Sequence, residues 1–307
     1  MPIRLSGLLL ARPPAYAPLT RFAAAARPRT ELWRSVLGTV LIGALYLMAI
    51  ISFFQFVERV WGPWTAARLS QGIASGSTPQ ALTMLLFSFA AMGGAVFVVT
   101  RLLHGRSGIT LFGPLPQALS DFLHTALPIL ALWVVLLPLS ALAPEVGRHL
   151  TVGQLLVWLP LALPGLLIQI GSEELLFRGY LQQQLAARFQ APLAWAVLPS
   201  MLFGALHYAP AEFGRNASLM ALWATLFGLF AADLTARTGN LGAALGFHFA
   251  TNFSAIFLVG LYGNLDGLAL FNLVINTRDP GQVIPFLAVD FMSMLVSWLL
   301  ARQFLCR

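Results

Sequence analysis

The sequence predicts an all-α polytopic membrane bundle of about eight transmembrane helices, and three observations carry that prediction. The chain has 307 residues, of which 58% are hydrophobic and 9% charged. Its mean hydropathy is +0.80. Its apolar residues fall into continuous runs of about 20, the length that crosses ~30 Å of hydrocarbon. Soluble domains carry about 25% charged residues. This composition excludes a water-soluble enzyme, a secreted scaffold and a disordered chain.

Taken in order, the predicted spans are Leu32–Phe56, Pro79–Leu102, Gln117–Leu142, Leu150–Phe177, Pro192–Tyr208, Ser218–Thr235, Leu241–Tyr262 and Val283–Phe304. The fifth is short, and the fourth runs on into a polar tail from Gln182 to Arg188. Length and continuity favour helices, since barrel strands would alternate in polarity over about ten residues. Asp121 and His124 make only the start of the third span amphipathic.

The first 31 residues hold Arg4, Arg12, Arg21, Arg27 and Arg29 among prolines, and are expected to form a disordered basic tail. Their apolar runs, such as Leu8–Ala11, are too short for the core of a signal peptide. Residues 32–307 then form a single membrane domain. All 18 basic residues are arginines, giving a net charge of +7. They lie between apolar runs rather than on a polar domain, which argues against nucleic acid and for a role in orientation. With the N-terminus inside, the inner segments collect most of them. The expectation is a multi-pass protein of the inner (plasma) membrane, with both termini cytoplasmic and lipid as its surroundings. The single cysteine, Cys306, rules out a disulfide framework.

Three polar clusters interrupt the apolar spans, and an intramembrane ionisable group marks function by default. The first is Gly171-Ser172-Glu173-Glu174-Leu175-Leu176-Phe177-Arg178. Adjacent residues on a helix point about 100° apart. Glu174 and Arg178, at i and i+4, can pair, which frees Glu173 to act on a water. Read blandly, the same run is a solvated helix end capped by a salt bridge. The second cluster ends Phe203-Gly204-Ala205-Leu206 with His207, and the third sets His248 one turn before Asn252. A hairpin turning near Gln190 brings Glu173 and His207 to one level, about 25 Å from its tip at 1.5 Å per residue. That level meets His248 if this polar tip projects beyond the next hairpin.

Such a cluster fits two mechanisms. Either Glu173, His207 and His248 hold a divalent metal such as zinc, or Glu173 and a histidine activate water directly. Asn252 would donate to the oxyanion of a tetrahedral intermediate. Both lead to hydrolysis of an acyl bond in a lipid-adjacent cavity. Neither His-Glu-x-x-His nor Gly-x-Ser-x-Gly is present.

Glu173-Glu174-x-x-x-Arg178, Phe203-x-x-x-His207 and His248-x-x-x-Asn252, in this order on successive helices, resemble the motifs of the CPBP intramembrane proteases. That family includes type II CAAX prenyl endopeptidases and bacterial Abi proteins. The segment Gly228 to Gly242, with Thr238-Gly239-Asn240-Leu241, is also similar. The resemblance covers Gly171–Asn252 and places a family-like core at about 150–262. It implies an endopeptidase acting on a membrane-associated, lipidated or bacteriocin-like protein or peptide substrate. Catalysis would fall to Glu173, His207, His248 and Asn252, with Glu174, Arg178 and Phe203 in support. The competing reading is a transporter, or a partner-binding scaffold or immunity protein. A transporter of this size would often repeat its polar pattern in both halves, and the first three spans hold no matching cluster.

Overall fold

The computed structural model describes residues 14–305. They form a helical membrane bundle. After a short helix α1 (Ala17–Phe22), the chain runs through α2 (Leu32–Trp61), α3 (Pro63–Ser75), α4 (Pro79–Ser88), α5 (Ala90–His104) and α6 (Leu115–Ser140). Then come α7 (Val152–Glu174), α8 (Gln182–Arg188), α9 (Leu198–Leu206), α10 (Pro210–Phe213), α11 (Ala217–Thr238), α12 (Gly242–Phe253) and α13 (Pro280–Leu305). Six helical stretches are long and apolar enough to cross a membrane: Leu32–Trp61, Pro79–His104, Leu115–Ser140, Val152–Arg188, Pro210–Thr238 and Pro280–Leu305. The remaining two expected spans, Leu193–Leu206 and Gly242–Leu258, are apolar helices too short to cross unaided. Both end beside a cavity, which His207 and Leu258 line, and backbone that lines a cavity need not span the membrane.

Local sequence explains the element that carries the acidic pair. Thr151 accepts from the Gln154 backbone N–H while the Gln154 carboxamide accepts from the Thr151 N–H, a reciprocal cap that starts α7. The helix then runs apolar to Glu174 and continues through a π-helical turn at Leu175–Leu181. Further π turns lie at Leu193–Val197 and Ser254–Leu258. The first and last of these abut the predicted site residues, a frequent placement for π turns.

Close helix packing sets the level of α12. A Cβ on Gly242 would run into the Ala118 carbonyl, and one on Gly246 into the Phe122 carbonyl. Small residues at both points let α12 lie directly against the α6 backbone. Asn240, in the turn before α12, donates to Asp121 (2.7 Å) and accepts from the Gly242 N–H (2.8 Å). A small sheet in the loops, ordered β1 (Val146–Arg148), β3 (Phe271–Leu273), β2 (Val259–Leu261), is antiparallel between β1 and β3 and parallel between β3 and β2.

Two expectations change. Residues 14–26, assigned to a disordered tail, form helical turns that bury Leu19, Phe22, Ala23 and Ala26; residues 1–13 lie outside the described part. Tyr16 donates to Asp233 (2.7 Å), which also accepts from Arg237 and Trp298. Burial and this carboxylate push the Tyr16 phenol up to about 12. The tip Gln182-Gln183-Gln184 does not project into water, because all three side chains are buried. Gln183 accepts from Arg106 (2.7 Å) and donates to the Thr110 carbonyl (3.0 Å), while Gln182 donates to the Ala232 carbonyl (3.0 Å). The N-terminal turns pack on α8 and cover a surface that arginine and glutamine alone would have left wet.

Candidate functional site

Four elements meet at the site: the end of α7 and its π turn, the end of α9, α11, and the middle of α12. Glu174 is fully buried and its Oε1 is shared. It accepts from Arg178 Nη1 at 2.9 Å and from His248 Nδ1 at 2.8 Å. Arg178 is buried as well, and its guanidinium lies 4.9 Å from the Phe203 ring centre. The pair anticipated at i and i+4 is therefore formed, and it has a second task, which is to hold an imidazole from another helix. An ion pair buried this deeply gains little net stability but is costly to break from one side.

With Nδ1–H bound to Glu174, His248 turns its Nε2 toward Glu173. Nε2 and Glu173 Oε2 are 3.6 Å apart, too far for a direct hydrogen bond and near enough for both to act on one small molecule. Glu173 is more open than its neighbour, with 13% side-chain exposure against none for Glu174. The two adjacent carboxylates are thus divided as the 100° rotation requires: one structural, one facing the cavity.

His207 closes α9 and is exposed. Its Nδ1 is 2.8 Å from the Phe203 carbonyl, and its ring lies 4.5 Å from the Phe203 ring. Both histidines therefore have Nδ1 tied to an acceptor, leaving Nε2 for chemistry, the arrangement seen wherever a second partner fixes an imidazole tautomer. Phe203 touches Phe177, His207 and Phe227, and sits 6.3 Å from His248. Asn252 donates to Gln169 Oε1 at 3.1 Å.

Glu173, His207, His248 and Asn252 all line one cavity of about 650 Å³. Most of its other walls are apolar, among them Leu82, Leu86, Phe227 and Phe286. Val259, Gly260 and Leu261 of the small sheet close part of it. The structure brings Glu173 and His248 together and keeps His207 at the same cavity behind Phe203. Among the described residues, no three His, Cys, Asp or Glu side chains stand close enough to hold a metal ion. The trio Glu173, His207 and His248 is not assembled as a ligand set here.

Sequence reasoning missed Gln169, Phe227 and the bond from His248 to Glu174. Gln169 had a signal, standing one helical turn before Glu173. Phe227 had none, being one phenylalanine among 23. Its ring meets the His248 ring at 4.8 Å and Phe247 at 4.9 Å.

Fold and site together define a multi-pass membrane protein with a buried carboxylate–imidazole centre opening into an apolar cavity. Residues 154–254, which contain every predicted site residue, match the family model described as Type II CAAX prenyl endopeptidase Rce1-like. The match supports the resemblance to the CPBP and CAAX protease family read from the three motifs. A Bacillus subtilis (strain 168) protein, "Uncharacterized protein YyaK", is 33% identical over 105 residues, spanning 33% of this chain and 35% of that relative. The similarity thus covers about a third of each protein. No solved structure matches the chain.

Proposed function

We propose that the protein is an intramembrane endopeptidase that hydrolyses a peptide bond of a membrane-associated, lipidated or strongly apolar protein or peptide, in the inner membrane. The observation that carries this reading is the chain Arg178–Glu174–His248–Glu173, linked by contacts of 2.9, 2.8 and 3.6 Å and ending at a cavity. The matched family segment supports the same reaction class.

In this mechanism a water sits between Glu173 Oε2 and His248 Nε2. Glu173 takes one of its protons as the oxygen attacks the scissile carbonyl. Glu174 holds His248 in the tautomer that accepts at Nε2, and Arg178 balances the charge of Glu174. The Asn252 amide donates to the developing oxyanion. The proton taken up by Glu173 is passed on to the departing amine, with His207 Nε2 accepting and then donating it, so both side chains end as they began. The apolar walls admit a hydrophobic segment and keep bulk water from the intermediate.

The test is cleavage of membrane-tethered peptides by purified protein in liposomes, with substrates drawn from membrane proteomes compared with and without the gene. Glu173→Ala and His248→Ala should each abolish cleavage while insertion and helicity stay unchanged. Unaltered processing by Glu173→Ala would overturn the proposal.

A further inference from the structure

A second carboxylate lines the same cavity. Asp290 lies midway along α13, a helix outside the matched family segment, and lines the cavity beside Trp223, Phe286 and Val289. It forms no ion pair among the described residues. The Trp223 side-chain N–H approaches it but closes no hydrogen bond by strict geometry, and the buried indole nitrogens of Trp223 and Trp133 both lack a partner. Both indoles line this cavity. An acidic group within a membrane helix, facing a cavity and without a cation, is costly to keep unless something binds it.

Aromatic contacts connect this wall to the reacting centre. The Trp223 ring stacks on Phe227 at 5.9 Å, and Phe227 meets His248 at 4.8 Å. Trp223 and His248 thus flank the same phenylalanine ring in the wall of one cavity.

We propose that Asp290, beside the Trp223 indole, is a specificity subsite for a cationic group of the substrate, an amine or guanidinium carried on a residue other than those of the scissile bond. A cation there would pair with the carboxylate, which the apolar cavity walls leave without any other counter-charge. This assignment rests on the hydrolytic reading of the cavity, yet its binding step is measurable without turnover.

The test uses full-length protein in lipid nanodiscs and two probes of equal chain length, dodecylammonium and dodecanol, with affinity read by calorimetry. Wild type and Glu173→Gln should both bind the ammonium at least about tenfold more tightly than the alcohol, the size of effect one charge pair gives at a partly buried site. Asp290→Asn should lose that preference while keeping its affinity for the alcohol, and Asp290→Glu should retain it. Equal affinity for both probes in wild type, or a preference unchanged in Asp290→Asn, would overturn the subsite. Loss of the preference in Glu173→Gln, with Asp290→Asn unaffected, would assign the cation to Glu173 and overturn it equally. Failure of the hydrolytic reading shows separately, as absence of peptide cleavage by wild type.

Discussion

The six long spans divide into two sets. Within the helices Leu32–Trp61, Leu115–Ser140 and Pro280–Leu305, 11%, 17% and 17% of the most apolar window is buried inside the protein. In Pro79–His104, Val152–Arg188 and Pro210–Thr238 the shares are 44%, 39% and 44%. Hydropathy does not separate the sets: Pro79–His104, among the most buried, has mean hydropathy 2.2, above the 2.1 and 2.0 of two of the exposed helices. What separates them is the solvent that each apolar face meets. The outer set shows Val36, Val40, Leu47 and Val135 to lipid, where identity matters little. The inner set carries Glu173, Glu174 and Arg178 with their aromatic packing, where neighbours fix the side-chain geometry. Apolar content therefore reports immersion in the membrane, whereas burial marks where the carboxylate–imidazole centre is built.

Substitutions graded across the two sets sharpen the contrast. The largest effect is expected at Glu174. Changing it to Ala strands a buried Arg178 and frees His248, a loss of about 3–5 kcal/mol for one side of a buried pair. The variant should unfold early in a detergent melt and show no cleavage. Next comes Phe227→Ala, which leaves a void beside His248 and should cost about 3 kcal/mol in the same melt. At the other extreme, Leu47→Ala on the lipid-facing side of α2 should move stability by no more than about 0.5 kcal/mol; a larger drop would mean that this face packs against protein. The smallest effect is expected from a chelator. If Glu173 and His248 activate water without a metal, as in the mechanism proposed above, EDTA-treated protein should cleave at the untreated rate. Loss of activity that zinc restores would show that the three side chains close around a metal.

Much of this was readable beforehand, because the information lay in spacing. Glu174 and Arg178 are one helical turn apart, which is enough to anticipate their bond. His248 and Asn252 are set in the same way. That Glu173 rather than Glu174 faces the cavity also followed from helix rotation. By contrast, the bond from Glu174 to His248 joins residues 74 positions apart, and no local pattern encodes it. The N-terminal segment misled because arginine and proline suggest solvent, whereas four small or apolar side chains between them supply a buried face. Gln182 to Gln184 misled for the complementary reason: glutamine satisfies backbone carbonyls in an interior as well as it meets water. Asp290 went unremarked because a lone carboxylate in an apolar run belongs to no motif.

Glycine-to-alanine replacement is a common route to a more stable helix, with about 1 kcal/mol of propensity available at each site. At Gly242 and Gly246 that recipe should work backwards. A single methyl at either position would wedge α12 off the α6 backbone and carry His248 away from both glutamates. The two hydrogens that stand where side chains would be are, in effect, the alignment pins of the site.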